Sequence, residues 1–341
     1  MSFVSDTTAP VHPRIMDAIV AANAGATASY GADPWTERAV ARLKETFETD
    51  CAVFLVASGT AANALALGSL TPSWGAVITH REAHIVLDEA GAPEFYTGGA
   101  RLLLLDGAHA QITPQSLDVE ASRYARANVH GLQPFTVSIS QMTESGAVYE
   151  AAEVAAISAV CRARGLKLHM DGARFANALA AAGATPAEMS WKAGVDVLSF
   201  GASKNGALSV EAIVCFDAAA AAQLPHLRKR SGHLIAKHRL LGAQMEAYLA
   251  EDLWLQSARH ANAMAARLAA VLEHAGGERV HPLRGNALFM RLDSTVADRL
   301  KTAGVALFRW VTDGPDVYRF VASWATTDAD VDACERALAG V

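Results

Sequence analysis

Lys204 sits in SFGASKNGA (Ser199 to Ala207), where a short apolar run passes into small residues, and HMDGAR places Asp171 and Arg174 at the end of the apolar run before it. An amine at the tip of a buried strand can form a Schiff base with an aldehyde. Its uncharged neighbours Phe200, Gly201, Ala202, Gly206 and Ala207 depress its pKa and favour that chemistry. A carboxylate on the adjacent strand can keep a pyridine nitrogen protonated, so that the ring accepts electrons. Together the two residues predict a pyridoxal phosphate site, an electron sink able to break one bond at an amino acid's α-carbon. Taken alone, each motif has a plainer reading: a solvated loop lysine, and an Asp171–Arg174 salt bridge at a helix start.

The phosphate of such a cofactor needs a cradle, and ASGTAANALAL (Ala57 to Leu67) offers one. A strand ends in Ser58, Gly59 and Thr60 and a helix begins, so small residues, hydroxyls and free helix-start amides converge. By itself this is also an ordinary N-cap; its place ahead of the Asp171 and Lys204 strands is what makes it a phosphate candidate. His84, in EAHIVLDEAG, could stack on the ring or accept a proton from a substrate hydroxyl. It could equally be a core-edge histidine.

These residues need elements to hold them. Short apolar runs at Ala52–Val56, Ala76–Thr79, Arg101–Leu105, Phe135–Ser140, Lys167–Met170, Val195–Phe200 and Ala212–Phe216 alternate with helical periods such as Gly59–Leu70, Pro114–Asn128 and Ala151–Arg164. That pattern predicts an α/β fold, a mostly parallel seven-stranded sheet covered by helices. From Ile235 to His274 the chain turns helix-rich, followed by strands at Leu288–Leu292 and Val317–Ser323 and a closing helix, Asp328–Ala339. The expected division is an N-terminal segment with a large cofactor domain over 1–235 and a small α+β domain over 236–341.

Composition narrows the function classes. The 341 residues are 52% apolar and 19% charged, ordinary for a globular chain, and the net charge of −6 is spread without a basic run longer than Arg228, Lys229 and Arg230. A small-molecule substrate is expected, with no nucleic-acid or membrane partner. The four cysteines, Cys51, Cys161, Cys215 and Cys334, are isolated and read as reduced core residues, with no metal site expected. The start, MSFVSDTTAP, lacks a signal-peptide pattern, and no apolar run reaches membrane-span length, so a cytoplasmic protein is expected.

Nearly end to end, the chain resembles the pyridoxal phosphate-dependent threonine aldolases of fold type I, the aspartate aminotransferase-like fold. FVSDTTAPVHPRIMDAI is similar to that family's opening SDT segment, and YGADPWTERAV, SGTAAN, AHIVLDEAG, HMDGARFANA, SFGASKNGA and RFVASWATTDADVD follow in family order. The resemblance implies that Lys204 carries the cofactor, Asp171 pairs with the pyridinium nitrogen, His84 stacks on the ring, and Ser58, Gly59 and Thr60 hold the phosphate. It implies that Ser5, Arg174 and Arg319 surround the substrate carboxylate, for which a guanidinium's planar fork is suited. It also implies a homo-oligomer, dimer or tetramer, with shared active sites, in which Tyr30 and the Arg228–Arg230 cluster, Arg230 included, reach a neighbour's cofactor. Without the family pattern Arg319 is an edge-strand charge and the basic cluster a solvated helix face.

One stretch departs from the family. Where many members carry a histidine in an ENTH-like strand end, this chain reads SISQMTESGAVYE (Ser138 to Glu150). The proton of the substrate's β-hydroxyl must then go to His84, Glu144 or a bound water, and Glu144 could also be only an exposed turn residue. The departure suggests a sub-branch that accepts aromatic substrates such as phenylserine. The reaction implied is retro-aldol cleavage of L-threonine, L-allo-threonine or a related β-hydroxy-α-amino acid to glycine and an aldehyde. The same lysine and aspartate would also serve a β-eliminating lyase or an aminotransferase, and a scaffold that has lost catalysis is the reading from outside enzymology.

Overall fold

Parallel strands must be joined by crossovers long enough to hold a helix, and the alternation in the sequence is realised in that way. The computed structural model describes residues 2–124 and 128–339. Its larger sheet contains β1 (Ala52–Val56), β2 (Gly75–His80), β3 (Arg101–Leu105), β4 (Gln133–Ser140), β5 (Lys167–Gly172), β6 (Val197–Gly201) and β7 (Glu211–Cys215). Their spatial order is β1-β7-β6-β5-β4-β2-β3. β2, β3, β4, β5 and β6 pair in parallel, whereas β7 runs antiparallel to both of its neighbours. β7 therefore starts where β1 and β6 end, at the edge of the sheet that carries the candidate residues.

Strands buried on both faces read as continuous apolar runs, and β6 and β7 are buried along their whole length. The helix Gly59–Leu70 is likewise buried nearly all round, packed between the sheet and the helices Ala92–Thr97 and Ala218–Arg230. Val195, expected to open a strand, lies in a turn instead: its amide bonds to the Ser190 carbonyl, and β6 begins two residues later. The expected helix Pro114–Asn128 stops at Ser122, whose hydroxyl turns back to the Val119 carbonyl. Residues 125–127 of that expectation lie outside the described residues.

A second, antiparallel sheet has the order β10-β11-β9-β8, with β8 (Glu278–Arg279), β9 (Ala287–Arg291), β10 (Phe308–Arg309) and β11 (Val317–Val321). Its core is closed by the helices Ser294–Thr302 and Asp328–Leu338 and by Ala265–Leu272 of the long helix Leu253–His274. The first half of that helix, with Trp254 and Ala258, belongs to the large-sheet core together with Leu241, Met245 and Tyr248. The handover between cores thus runs along one helix, further on than the division expected at 235. The N-terminal segment ties both parts together. Ser2 bridges Ala306, the Phe3 carbonyl accepts from the Val321 amide at 2.7 Å, and Asp6–Thr8 packs on the turn that bears Lys204.

Candidate active site

In an open parallel sheet, ligands bind beyond the carboxyl ends of the strands, and there the candidate residues gather. A cavity of about 560 Å³ is lined by Ser58, Gly59 and Thr60 after β1, Asp171 near the end of β5, Lys204 just after β6, and His84 after β2. Six of the expected residues, from the ends of four strands and the segments that follow them, thus share one wall. Asn63, Glu211 and Thr7 line it as well and were not anticipated. Ser5, Tyr30, Glu144, Arg174, Arg230 and Arg319 stand outside the lining of this single chain.

Ser58 is the N-cap of Gly59–Leu70, its hydroxyl accepting from the Ala61 amide at 3.2 Å. A Cβ built on Gly59 would meet no protein atom within 4 Å, so the start of this helix lies open to a ligand. One turn on, the same helix presents Asn63. Its Nδ2 donates to Asp171 Oδ2 and to Glu89 Oε1, both at 2.8 Å, while the Ala173 amide donates to Asp171 Oδ1 at 3.0 Å. Behind Asp171, buried His169 spans Ser138 and Ser199, and burial pushes its pKa down to about 4.

His84 Nδ1 lies 2.8 Å from the fully buried Glu89 carboxylate, which leaves Nε2 for another partner. The bond to Glu89 raises the imidazole pKa; burial in turn raises that of Glu89, whose Oε2 has no partner. Glu144 anchors the same loop from behind, accepting from the His84 amide at 2.9 Å and the Ser140 hydroxyl at 2.8 Å. Burial, reinforced by the Asp171 charge, pushes the Glu144 carboxyl up to about 7, and its Oε2 is buried and unpaired. His84, Glu89 and Asp171 each offer one atom within 4.8 Å of the others, a spacing a cation could use, although Asn63 already holds the two carboxylates together.

For Lys204, burial and then the Arg174 charge lower the ammonium pKa. Arg174 Nε and Nη2 are committed to Asp6, at 2.7 and 3.0 Å, and Asn286 Nδ2 also donates to Asp6 at 3.1 Å. A substrate carboxylate at Arg174 would share it with that aspartate. Arg319 lies over the rings of Phe308 and Trp310, 4.5 and 5.3 Å from their centroids, and donates from Nη2 to the Val4 carbonyl; its Nε is buried without a partner. Ser5 bonds to Thr7 at 2.8 Å. Tyr30 is half exposed beneath the Lys229 ammonium, and Arg230 is exposed at a helix end.

Asp6 and Glu89 carried a sequence signal that was readable. SDT drew attention to Ser5 rather than to the aspartate beside it, and Glu89 follows His84 by five residues, a separation that meets only because the helix ends at Leu87.

The beta-eliminating lyase family profile matches residues 2–295. A low specificity L-threonine aldolase of a Pseudomonas species is 41% identical over 330 residues, 96% of this chain and 94% of the relative. The threonine aldolase of Leishmania major superposes with a TM-score of 0.91 at 31% identity, covering 99% of this chain and 97% of that one. An aspartate aminotransferase of Rhodobacter sphaeroides, 20% identical with a TM-score of 0.70 over 99% of this chain and 90% of its own, shares the fold.

Proposed function

We infer the function from one premise: the chain belongs to the beta-eliminating lyase family. It is a threonine aldolase-type lyase that cleaves L-threonine and related β-hydroxy-α-amino acids to glycine and an aldehyde with pyridoxal phosphate. The observation that carries this reading is a single cavity lined by Lys204, Asp171 and the Ser58–Thr60 helix start.

The residues present fit that cofactor. The open helix start at Gly59 suits a phosphate, Asp171 suits the ring nitrogen, and Lys204 suits the aldehyde. When bound, pyridoxal phosphate supplies an aldehyde that takes up an amine and a ring that accepts the electron pair released at Cα. The protein's own work lies in holding charges and moving protons. Burial keeps the Lys204 amine reactive, Asn63 and the Ala173 amide hold the Asp171 carboxylate fixed, and Arg319 offers a half-buried guanidinium for the substrate carboxylate. Of the two side chains that could take the β-hydroxyl proton, directly or through a bound water, His84 lines the cavity and keeps Nε2 available, whereas Glu144 stands behind the wall. His84 is therefore the base, Glu89 steadies its charged form, and Glu144 positions its backbone.

A homo-oligomer belongs to the same reading. Leu87 and Phe95 flank the His84 loop at 59% and 75% exposure, as befits a face covered by a second copy. Among the described residues no helix is long and apolar enough to cross a membrane. The four cysteines are free and buried, and thiols kept reduced suit the cytoplasmic location of this reading.

The test is product analysis. With L-threonine the protein should yield glycine and acetaldehyde in equal amounts; 2-oxobutanoate with ammonia would make it a β-eliminating lyase. Running the phenylserine isomers beside L-threonine and L-allo-threonine identifies the preferred side chain.

A further inference from the structure

We propose that Phe308 and Trp310 are positioning residues for the substrate carboxylate: their ring faces hold the Arg319 guanidinium while leaving its donors free, an inference that rests on reading Arg319 as the carboxylate's partner. The second sheet sets the arrangement. Arg319 on β11 stands directly across from Phe308 on β10 and from Phe289 on β9, so the three side chains share one face. Trp310, two residues beyond Phe308, returns to that face, its amide bonded to the Val317 carbonyl at 2.8 Å. Phe289 is buried in a cluster with Met142, Val148 and Ala178 from the large-sheet part, and Trp310 meets it edge-on with ring centroids 5.2 Å apart. The aromatic pair is therefore backed by the large part of the molecule, although β10 itself is a two-residue edge strand.

The two arginines beside the cavity differ in the kind of partner they have. Arg174 spends Nε and Nη2 on the Asp6 carboxylate. Among the described residues Arg319 forms no salt bridge: Nη2 donates to the Val4 carbonyl at 3.1 Å, and the buried Nε is unpaired. A guanidinium that has lost part of its hydration needs another source of stabilisation. The rings of Phe308 and Trp310, 4.5 and 5.3 Å away, supply it through their π faces, which take up none of the N–H donors of the fork. Burial and then the Arg174 charge act against the ionised form of Arg319, while Asp6, already paired with Arg174, and Asp88, next to the His84 turn, act for it. An incoming carboxylate thus meets a cation that is held in place but not claimed by a protein carboxylate.

The experiment titrates the cofactor-loaded protein with glycine, followed by visible absorbance, and compares the rate of its reaction with methoxyamine, an amine without a carboxylate. Phe308→Leu and Trp310→Leu keep apolar contact and remove a π face. Each should raise the glycine Kd by about threefold to tenfold, with the methoxyamine rate unchanged. Phe308→Tyr, which restores the ring, should bind glycine within about twofold of the wild type. A glycine Kd unmoved in both leucine variants, or a methoxyamine rate that falls in step with glycine affinity, overturns the role of the rings. If Trp310→Leu does not fold, Phe308→Leu, at a residue 38% exposed, decides alone. Arg319→Leu separates this proposal from the reading beneath it: the glycine Kd should rise by at least about tenfold. No rise there overturns the carboxylate assignment of Arg319 and the proposal with it, and a wild type that develops no visible absorbance with pyridoxal phosphate overturns the cofactor reading.

Discussion

His84 can receive a proton at Nε2 because Glu89 occupies Nδ1, and the same contact raises the pKa at which the ring becomes a base. A base works in its unprotonated form, so activity should rise with pH through the raised imidazole value. Replacing Glu89 with Gln removes the charge that stabilises the imidazolium. The acidic limb of kcat/KM should move to lower pH, with kcat on the plateau falling by about tenfold to a hundredfold as the ring loses its fixed orientation. An acidic limb at the wild-type pH would show that another group takes the proton. Lys204, Asp171, His84 and Ser58–Thr60 were legible in the sequence because each is embedded in a motif whose residue types have a chemical reason. Glu211 and Asn63 were not, since their places in the cavity wall come from strand register and helix phase, which only the folded sheet sets.

The sheet was readable as a set of elements because seven apolar runs alternate with helical periods, and all seven strands lie where those runs fall. The N-terminal segment was not readable as a structural strap. Asp6–Thr8 is a single short turn, yet Asp6 is almost wholly buried, and it joins Arg174 beside the cavity to Asn286 near the second sheet. Burial alone would raise the Asp6 pKa, but the Arg174 guanidinium outweighs it and holds the carboxyl below its ordinary value. The ion pair therefore adds stability above the usual aspartate range, and the gain is lost as pH falls through the depressed value. Asp6→Ala leaves a buried guanidinium without its partner and should lower stability by about 3 kcal/mol in chemical denaturation at neutral pH. A change below 1 kcal/mol, about the level of an exposed pair, would mean that the segment does not hold the two parts together.

At the level of the whole molecule, Tyr30 and Arg230 lie outside the cavity wall of the single chain, so a role at the site requires a neighbouring copy. Phe95→Glu places a charge on the exposed face beside the His84 loop. Light scattering after size-exclusion chromatography should show the wild type as an oligomer and the variant shifted toward monomer, with activity falling in parallel. A wild-type monomer with full activity would remove the shared-site reading. A contact face of this kind is not legible in a sequence, because nothing there marks Phe95 as exposed once the chain has folded. The arrangement as a whole turns on Lys204, and borohydride reduction of the loaded protein followed by peptide mass mapping tests that directly. The pyridoxyl phosphate mass should be found on the peptide containing Lys204 and be missing from Lys204→Ala; its recovery on any other lysine of the wild type would contradict the assignment.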